Sequence, residues 1–177
     1  MKKRLSLIQM DVHVNEVEYN YVRVQELLSQ ALSEKPDIIV LPETWNTGFH
    51  PSKDLINISD RNGERTKALL STFAKEHNVN IVGGSVAVAK EDLVFNTSYA
   101  YNREGKLVGE YSKMHGFSPA KEDQYFASGT HTTHFELDGI PCSTVICYDI
   151  RFPELVRMAA LSNTELLFVP AQWPTMR

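Results

Sequence analysis

Residues 37–41, Asp-Ile-Ile-Val-Leu, form a short apolar run that Pro42 stops. The run does not alternate, so it reads as a strand buried on both faces. A second run, Leu-Leu-Phe-Val at 166–169, reads the same way. Strands of this kind need covering layers, and the rest of the chain must supply them. Val17, Tyr21, Val24, Leu28 and Ala31 recur at steps of four and three, which makes one apolar helix face. Asn15, with Glu18 three residues on, is expected to cap that helix. Residues 64–77 make a second amphipathic helix. Residues 152–161 make a third, opened by Pro153.

Further strands are expected at 3–10, 79–88, 93–101, 106–113, 132–137 and 140–146. Polar turns at 90–92 and 103–105 and Asp138-Gly139 join them as hairpins. Residues 46–62 read as a polar loop, and 114–130 as a loop rich in charge and aromatics. Val82-Gly83-Gly84-Ser85 lacks the lysine and following helix of a phosphate loop, and reads as a strand kink. Helices between strands, together with hairpins, imply an α/β sandwich in one domain.

Hydrophobic residues make up 42% of the 177 and charged residues 23%, a globular composition that excludes a disordered chain. The net charge of −4 argues against a nucleic-acid-binding face. No apolar run approaches the length of a membrane span. The start, Met1-Lys2-Lys3-Arg4-Leu5, resembles a signal peptide only briefly. Gln9 and Asp11 break its apolar stretch and no cleavage site follows, so a cytoplasmic protein is expected. Cys142 and Cys147, placed on one extended strand, would lie ~16 Å apart, too far for a disulfide. On such a strand they would also point to opposite faces.

Three residues are candidates for one site. Cys147 sits where a strand turns toward a helix, whose N-terminus would lower the thiol pKa; it is otherwise a small buried hydrophobe. Glu43 follows a buried strand, where desolvation would raise its pKa toward that of a base; it is otherwise a loop carboxylate or a cap. Lys113 closes a strand and is placed to pair with Glu43 or to stabilise an oxyanion; it is otherwise a solvated strand end. A cysteine phosphatase would need arginine where Pro153 stands. A glutamine amidotransferase elbow would flank the cysteine with glycines, not with Ile146 and Tyr148. His131 and His134, three apart, fall on opposite faces of a strand and lack a third metal ligand.

Leu41-Pro42-Glu43, Tyr111-Ser112-Lys113 and Ile146-Cys147-Tyr148-Asp149-Ile150-Arg151-Phe152-Pro153-Glu154-Leu155 resemble the three motifs of the nitrilase superfamily of carbon–nitrogen hydrolases, in the family's order. The resemblance implies an α-β-β-α sandwich and a Glu43–Lys113–Cys147 triad, with no metal or cofactor. It makes Glu43 the general base, Lys113 an oxyanion donor and Cys147 the nucleophile. The segment from Lys113 to Glu122, with Tyr125 and Gly129, is similar to the family's second glutamate segment, so Glu122 would orient Lys113. The Tyr148 amide would be the second oxyanion donor.

Residues 41–49 and Ala171-Gln172-Trp173-Pro174 resemble the omega-amidase branch, whose substrates are terminal amides of small acids. Trp45, Phe49 and Trp173 would then wall a pocket, or else lie in the core. Arg151 would hold a substrate carboxylate or pair with Asp149 or Glu154. Relative to the family the chain lacks about the last third of the domain, so 1–177 reads as a partial carbon–nitrogen hydrolase domain, homodimeric at full length. The other reading is a truncated, non-catalytic binding or regulatory protein of the same fold.

Overall fold

Ile38, Ile39 and Val40 are all buried, and their side chains alternate between two cores. Ile39 packs with Tyr21, Val24, Leu28, Leu70 and Phe73, which come from two helices. Ile38 and Val40 pack with Phe135, Leu137, Cys142 and Phe168, which come from a second sheet. The strand is thus covered by helices on one side and by strands on the other. Fully burying each large apolar side chain contributes ~1.5–3 kcal/mol, so this double covering is the main stabilising term.

The computed structural model describes residues 2–49 and 51–173. Met1 of the charged start and Pro174 of the last motif lie outside the described residues. The strands are β1 (Leu5–Leu7), β2 (Ile38–Val40), β3 (Asp60–Arg61), β4 (Asn80–Val82), β5 (Val86–Lys90), β6 (Leu93–Tyr101), β7 (Leu107–Ser112), β8 (His134–Leu137), β9 (Ile140–Thr144) and β10 (Leu166–Phe168). The helices are α1 (Val17–Ala31), α2 (Leu55–Ile58), α3 (Glu64–His77) and α4 (Pro153–Leu161), with short 3-10 turns between some of the strands.

The first sheet runs β1-β2-β4-β6-β5-β3, with β7 also paired to β6. The β1, β2 and β4 strands are parallel, and the β5-β6-β7 hairpins antiparallel. The second sheet runs β10-β9-β8, parallel then antiparallel. Helices α1 and α3 cover the first sheet. Leu155 and Ala159 of α4 line a small cavity with Ser143 and Val145, at and just beyond the end of β9. The architecture is the expected α-β-β-α sandwich.

Four local readings change. Glu16, not Asn15, stands at the N-cap of α1, and no side chain caps it. The chain there is tied instead by Asn20, whose amide exchanges hydrogen bonds with the His13 backbone at 3.0 and 2.7 Å. The expected polar loop 46–62 contains α2 and β3. The expected strand 79–88 breaks into β4 and β5 at Gly83–Ser85. Gly84 has φ +62°, and a Cβ there would lie 2.0 Å from the Pro42 carbonyl oxygen, so the kink presses against the segment that carries Glu43. In β10 only Phe168 is buried; among the described residues this strand pairs with β9 alone.

A charged staple joins the two sheets. Arg103, in the β6–β7 turn, donates to both Asp138 oxygens at 2.8 Å and to Asp37 at 2.9 Å. Lys3 adds a 2.9 Å bond to Asp138. Among the described residues no helix is long and apolar enough to cross a membrane.

Candidate active site

Glu43, Lys113 and Cys147 each follow the end of a strand: β2, β7 and β9. Beyond β2, the Leu41 amide still bonds Val82 of β4 at 3.0 Å. Pro42 then ends the pairing, and Thr44, at φ +40°, turns the chain so that the Glu43 side chain stays inside. Lys113 keeps one more ladder contact, its amide bonding the Asn96 carbonyl at 2.8 Å. β9 stops at Thr144, and the buried pair Val145-Ile146 carries the chain to Cys147.

Cys147 has φ +47°. A left-handed backbone costs a non-glycine residue ~1–2 kcal/mol, so something must hold it. The Cys147 amide donates to the Pro170 carbonyl at 2.9 Å. Asp149, wholly buried, accepts four hydrogen bonds: from the Tyr111 hydroxyl at 2.7 Å, the Ile146 amide at 3.1 Å, the His115 amide at 2.9 Å and His115 Nδ1 at 2.8 Å. Asp149 therefore bonds the residue just before the thiol and anchors the turn that presents it.

The charges converge on Lys113. Its Nζ lies 2.9 Å from Glu43 Oε1, and 2.8 and 2.7 Å from the two Glu122 oxygens. All three side chains are essentially out of water. Glu122 also accepts the Phe117 amide at 2.8 Å. Asn96 Nδ2 donates to both carboxylates at 3.1 Å. The Gln172 amide donates to Glu43 Oε2 at 3.0 Å, and the Gln172 side chain bonds the Glu43 carbonyl. The Cys147 thiol lies close enough to Glu43 for the carboxylate charge to act on it.

Burial pushes the Glu43 carboxyl above the ordinary range, although Lys113 opposes the shift. Burial alone would lower Lys113, but the two carboxylates outweigh it and hold the ammonium protonated. Burial, then the neighbouring Glu43 charge, pushes the Cys147 thiol strongly up. This corrects the expected lowering by a helix N-terminus. α4 begins only at Pro153, six residues on, and a carboxylate faces the sulfur.

The structure brings Glu43, Lys113, Cys147 and Glu122 together, with Tyr148 next to the thiol. Arg151 does not pair with Asp149, whose oxygens are taken. Its guanidinium lies over the Trp173 ring, 5.4 Å from the centroid. Trp45 is a core residue: it is fully buried, its indole N–H bonds the Gly83 carbonyl at 2.9 Å, and its ring packs edge-on against Tyr21. Phe49, with Lys113 Nζ 5.8 Å from its ring centre, and Trp173 do line a cleft of about 1110 Å³, with Phe117, Pro42 and Gln172. Asn96, Asp149 and Gln172 were not read as site residues. A polar residue at an inward position of a strand was the available signal for Asn96. Both cysteines are free. Since Cys147 lies beyond β9, the strand-parity argument for their separation does not hold. Cys142 lies in the core between the sheets, and Cys147 in a cluster with Tyr111 and Ile146.

Residues 4–177 match the carbon–nitrogen hydrolase family. The chain is 38% identical to a 2-oxoglutaramate amidase of Bacillus subtilis, over all of this chain and 68% of that protein. It is 30% identical to the omega-amidase NIT2 of Danio rerio, over 96% of this chain and 63% of that protein. It superposes on Nit3 of Saccharomyces cerevisiae, a member of branch 10 of the nitrilase superfamily, with a TM-score of 0.85 and 26% identity, covering 98% of this chain and 65% of that one. The chain spans about two thirds of the length of these relatives. The matched span contains all three motifs, and the fold is shared from β1 to β10: this chain belongs to the carbon–nitrogen hydrolase family, within the nitrilase superfamily.

Proposed function

We propose that this chain hydrolyses the terminal amide of a small acid to a carboxylate and ammonia, through a thioester on Cys147. The observation that carries the reading is the convergence of Glu43, Lys113 and Cys147, 34 to 104 residues apart in sequence, into one buried group in which Lys113 bonds Glu43 and the Glu43 charge acts on the thiol. Glu43 takes the thiol proton as Sγ attacks the amide carbon. Lys113 and the Tyr148 amide stabilise the oxyanion, and Glu122 holds Lys113 for that task. Glu43 returns the proton to the amide nitrogen, the C–N bond breaks and ammonia leaves. Water then attacks the thioester with Glu43 as base, the C–S bond breaks, and the thiol recovers its proton.

Arg151 supports an acid-tailed substrate: it is exposed beside Trp173, which lines the cleft. The 2-oxoglutaramate amidase relative points to the same substrate class. We read 1–177 as one partial carbon–nitrogen hydrolase domain. Homodimerisation of the full-length form belongs to this reading, supported by the exposed apolar residues Met158 and Leu161 on α4. So does a cytoplasmic setting, supported by two free cysteines.

The test is ammonia release from 2-oxoglutaramate and related omega-amides, with Cys147→Ala as control. Release that requires Cys147, with an acyl adduct on it by intact mass, supports the reading. Binding without turnover would favour the non-catalytic alternative.

A further inference from the structure

Asn96 stands where both buried carboxylates are within reach of one side chain. It lies on β6, opposite Ala87 of β5, and is 1% exposed. Its Nδ2 donates to Glu43 Oε1 and to Glu122 Oε1, and Lys113 Nζ donates to the same two oxygens. Two acceptors and two donors thus close a ring. The main chain takes part as well, since the Asn96 carbonyl accepts the Lys113 amide. Asn96 therefore holds Lys113 through its backbone and both counter-charges of Lys113 through its side chain.

The second oxygen of Glu43 is engaged differently. Oε2 accepts the Gln172 amide, and the same segment takes the Cys147 amide on the Pro170 carbonyl, which ties Oε2 and the thiol turn to one stretch of chain. We propose that Asn96 is a positioning residue that gives the two Glu43 oxygens separate tasks: it pins Oε1 in the ring with Lys113 and Glu122, and leaves Oε2 to exchange the proton with Cys147. This rests on the amidase reading of the site.

One observation sets this role apart from packing. Asn96 Oδ1 is buried and has no hydrogen-bond partner among the described residues. Buried polar atoms are normally satisfied, so an orphaned acceptor on a side chain whose amide nitrogen bonds two carboxylates fits a residue held by its donors. Here both N–H groups go to the anions, and the oxygen is left over. A neutral donor also adds no charge, whereas a second lysine would neutralise the ring. Without Asn96, Oε1 loses one of its two donors. The Glu43 carboxylate is then less stabilised, titrates at higher pH, and is freer to rotate about its soft terminal torsion.

The test is the pH dependence of Cys147 alkylation by iodoacetamide, located by peptide mass. It is run alongside kcat and KM for ammonia release, in the unaltered chain, Asn96→Leu and Asn96→Ser. The expected result is an acid limb of alkylation moved up by about one pH unit in both variants. With it, kcat falls roughly tenfold or more while KM changes little. An acid limb that stays in place, with rates reduced only in proportion to the folded fraction, overturns the proposal. Asn96→Ser, small and still polar, serves if the leucine variant does not fold. Alkylation needs no turnover, so its pH shift judges Asn96 alone. Absence of ammonia release from the unaltered chain counts against the amidase reading instead.

Discussion

Replacing Asp149 by asparagine tests whether one carboxylate anchors the Cys147 turn. Asp149 accepts two bonds on each oxygen, Oδ1 from the His115 amide and Nδ1, Oδ2 from the Tyr111 hydroxyl and the Ile146 amide. The introduced amide can keep only one oxygen. If its NH2 takes the Oδ2 place, the Tyr111 hydroxyl can reverse and accept, but the Ile146 amide cannot. If the NH2 takes the Oδ1 place, His115 Nδ1 can change tautomer, but the His115 amide cannot. Either way one backbone N–H is orphaned, at a cost of ~1–3 kcal/mol, and the remaining bonds lose their charge assistance. Relief from burying a charge offsets part of this, leaving a net loss of about 2–4 kcal/mol. For a chain of this size that is a fall in Tm of roughly 5–15 °C. Differential scanning calorimetry and urea unfolding measure it. Tyr111→Phe in the same background completes a double-mutant cycle, which should show coupling of about 1 kcal/mol. A variant that melts within a degree of the parent, or a cycle with no coupling, would mean that Asp149 does not anchor the turn.

Iodoacetamide at neutral pH should label Cys147 well before Cys142, because Glu43 stands beside Cys147 to take its proton as the sulfur attacks, whereas Cys142 lies in the core between the sheets; equal labelling of the folded protein would contradict the site assignment. Glu43→Gln should stall deacylation, so that an adduct on Cys147 accumulates by intact mass and turnover falls roughly 10²–10⁴-fold; turnover at the parent rate would assign the base elsewhere. The hydrogen bond from Arg103 holds the Asp138 carboxyl well below the usual carboxylate range. A carboxyl with a depressed folded pKa contributes stability above its unfolded pKa, near 4, and loses it as pH falls toward the folded value. Asp138→Asn should therefore destabilise by about 1–3 kcal/mol at neutral pH, with the difference shrinking as pH falls from about 4 to 2. A difference that stays constant with pH would show that the staple's charge is not what stabilises it.

Helix α3 was legible because its apolar stripe is regular; in the structure Gly63 and Asn78, both left-handed, bound it. The hairpin β5–β6 was legible because Glu91-Asp92 interrupts two apolar strands. The interior of 46–62 was not, since α2 is four residues long and β3 two, too short for any periodicity to develop. Glu43, Lys113 and Cys147 could be picked out as candidates from strand ends followed by reactive residue types, and the motif resemblance is what grouped them. Its supports could not. Asn96 reaches Glu43 across 53 positions and Gln172 reaches it across 129. No local pattern encodes such contacts; only the packing of the two sheets, which sets the segments after β2 and β10 beside Asn96 of β6 and its partners, does. Arg151 shows the opposite failure. A near neighbour in sequence suggested pairing with Asp149, but the 3-10 turn Cys147–Arg151 takes the carboxylate inward and the guanidinium outward.

The raised thiol and the raised carboxylate follow from one count of charge. Glu43 and Glu122 place two negative charges against the single ammonium of Lys113, in a space that water does not reach. A thiolate at Cys147 would add a third negative charge beside Glu43, which is why burial and that carboxylate both push the thiol up. Losing the proton to solvent is therefore the unfavourable route. Passing it to Glu43 keeps the count unchanged, and Glu43 is suited to receive it because burial has already raised its affinity for a proton. Lys113 cannot serve as the acceptor, since its two carboxylates keep it charged. In the proposed mechanism, protonation of Glu43 leaves Glu122 as the one full counter-charge to the ammonium, as the substrate oxygen gains negative charge. Removing Glu122 would then leave Lys113 bound to Glu43 alone and weaken its hold at that step, which is the physical reason for a second carboxylate in a site that needs only one base.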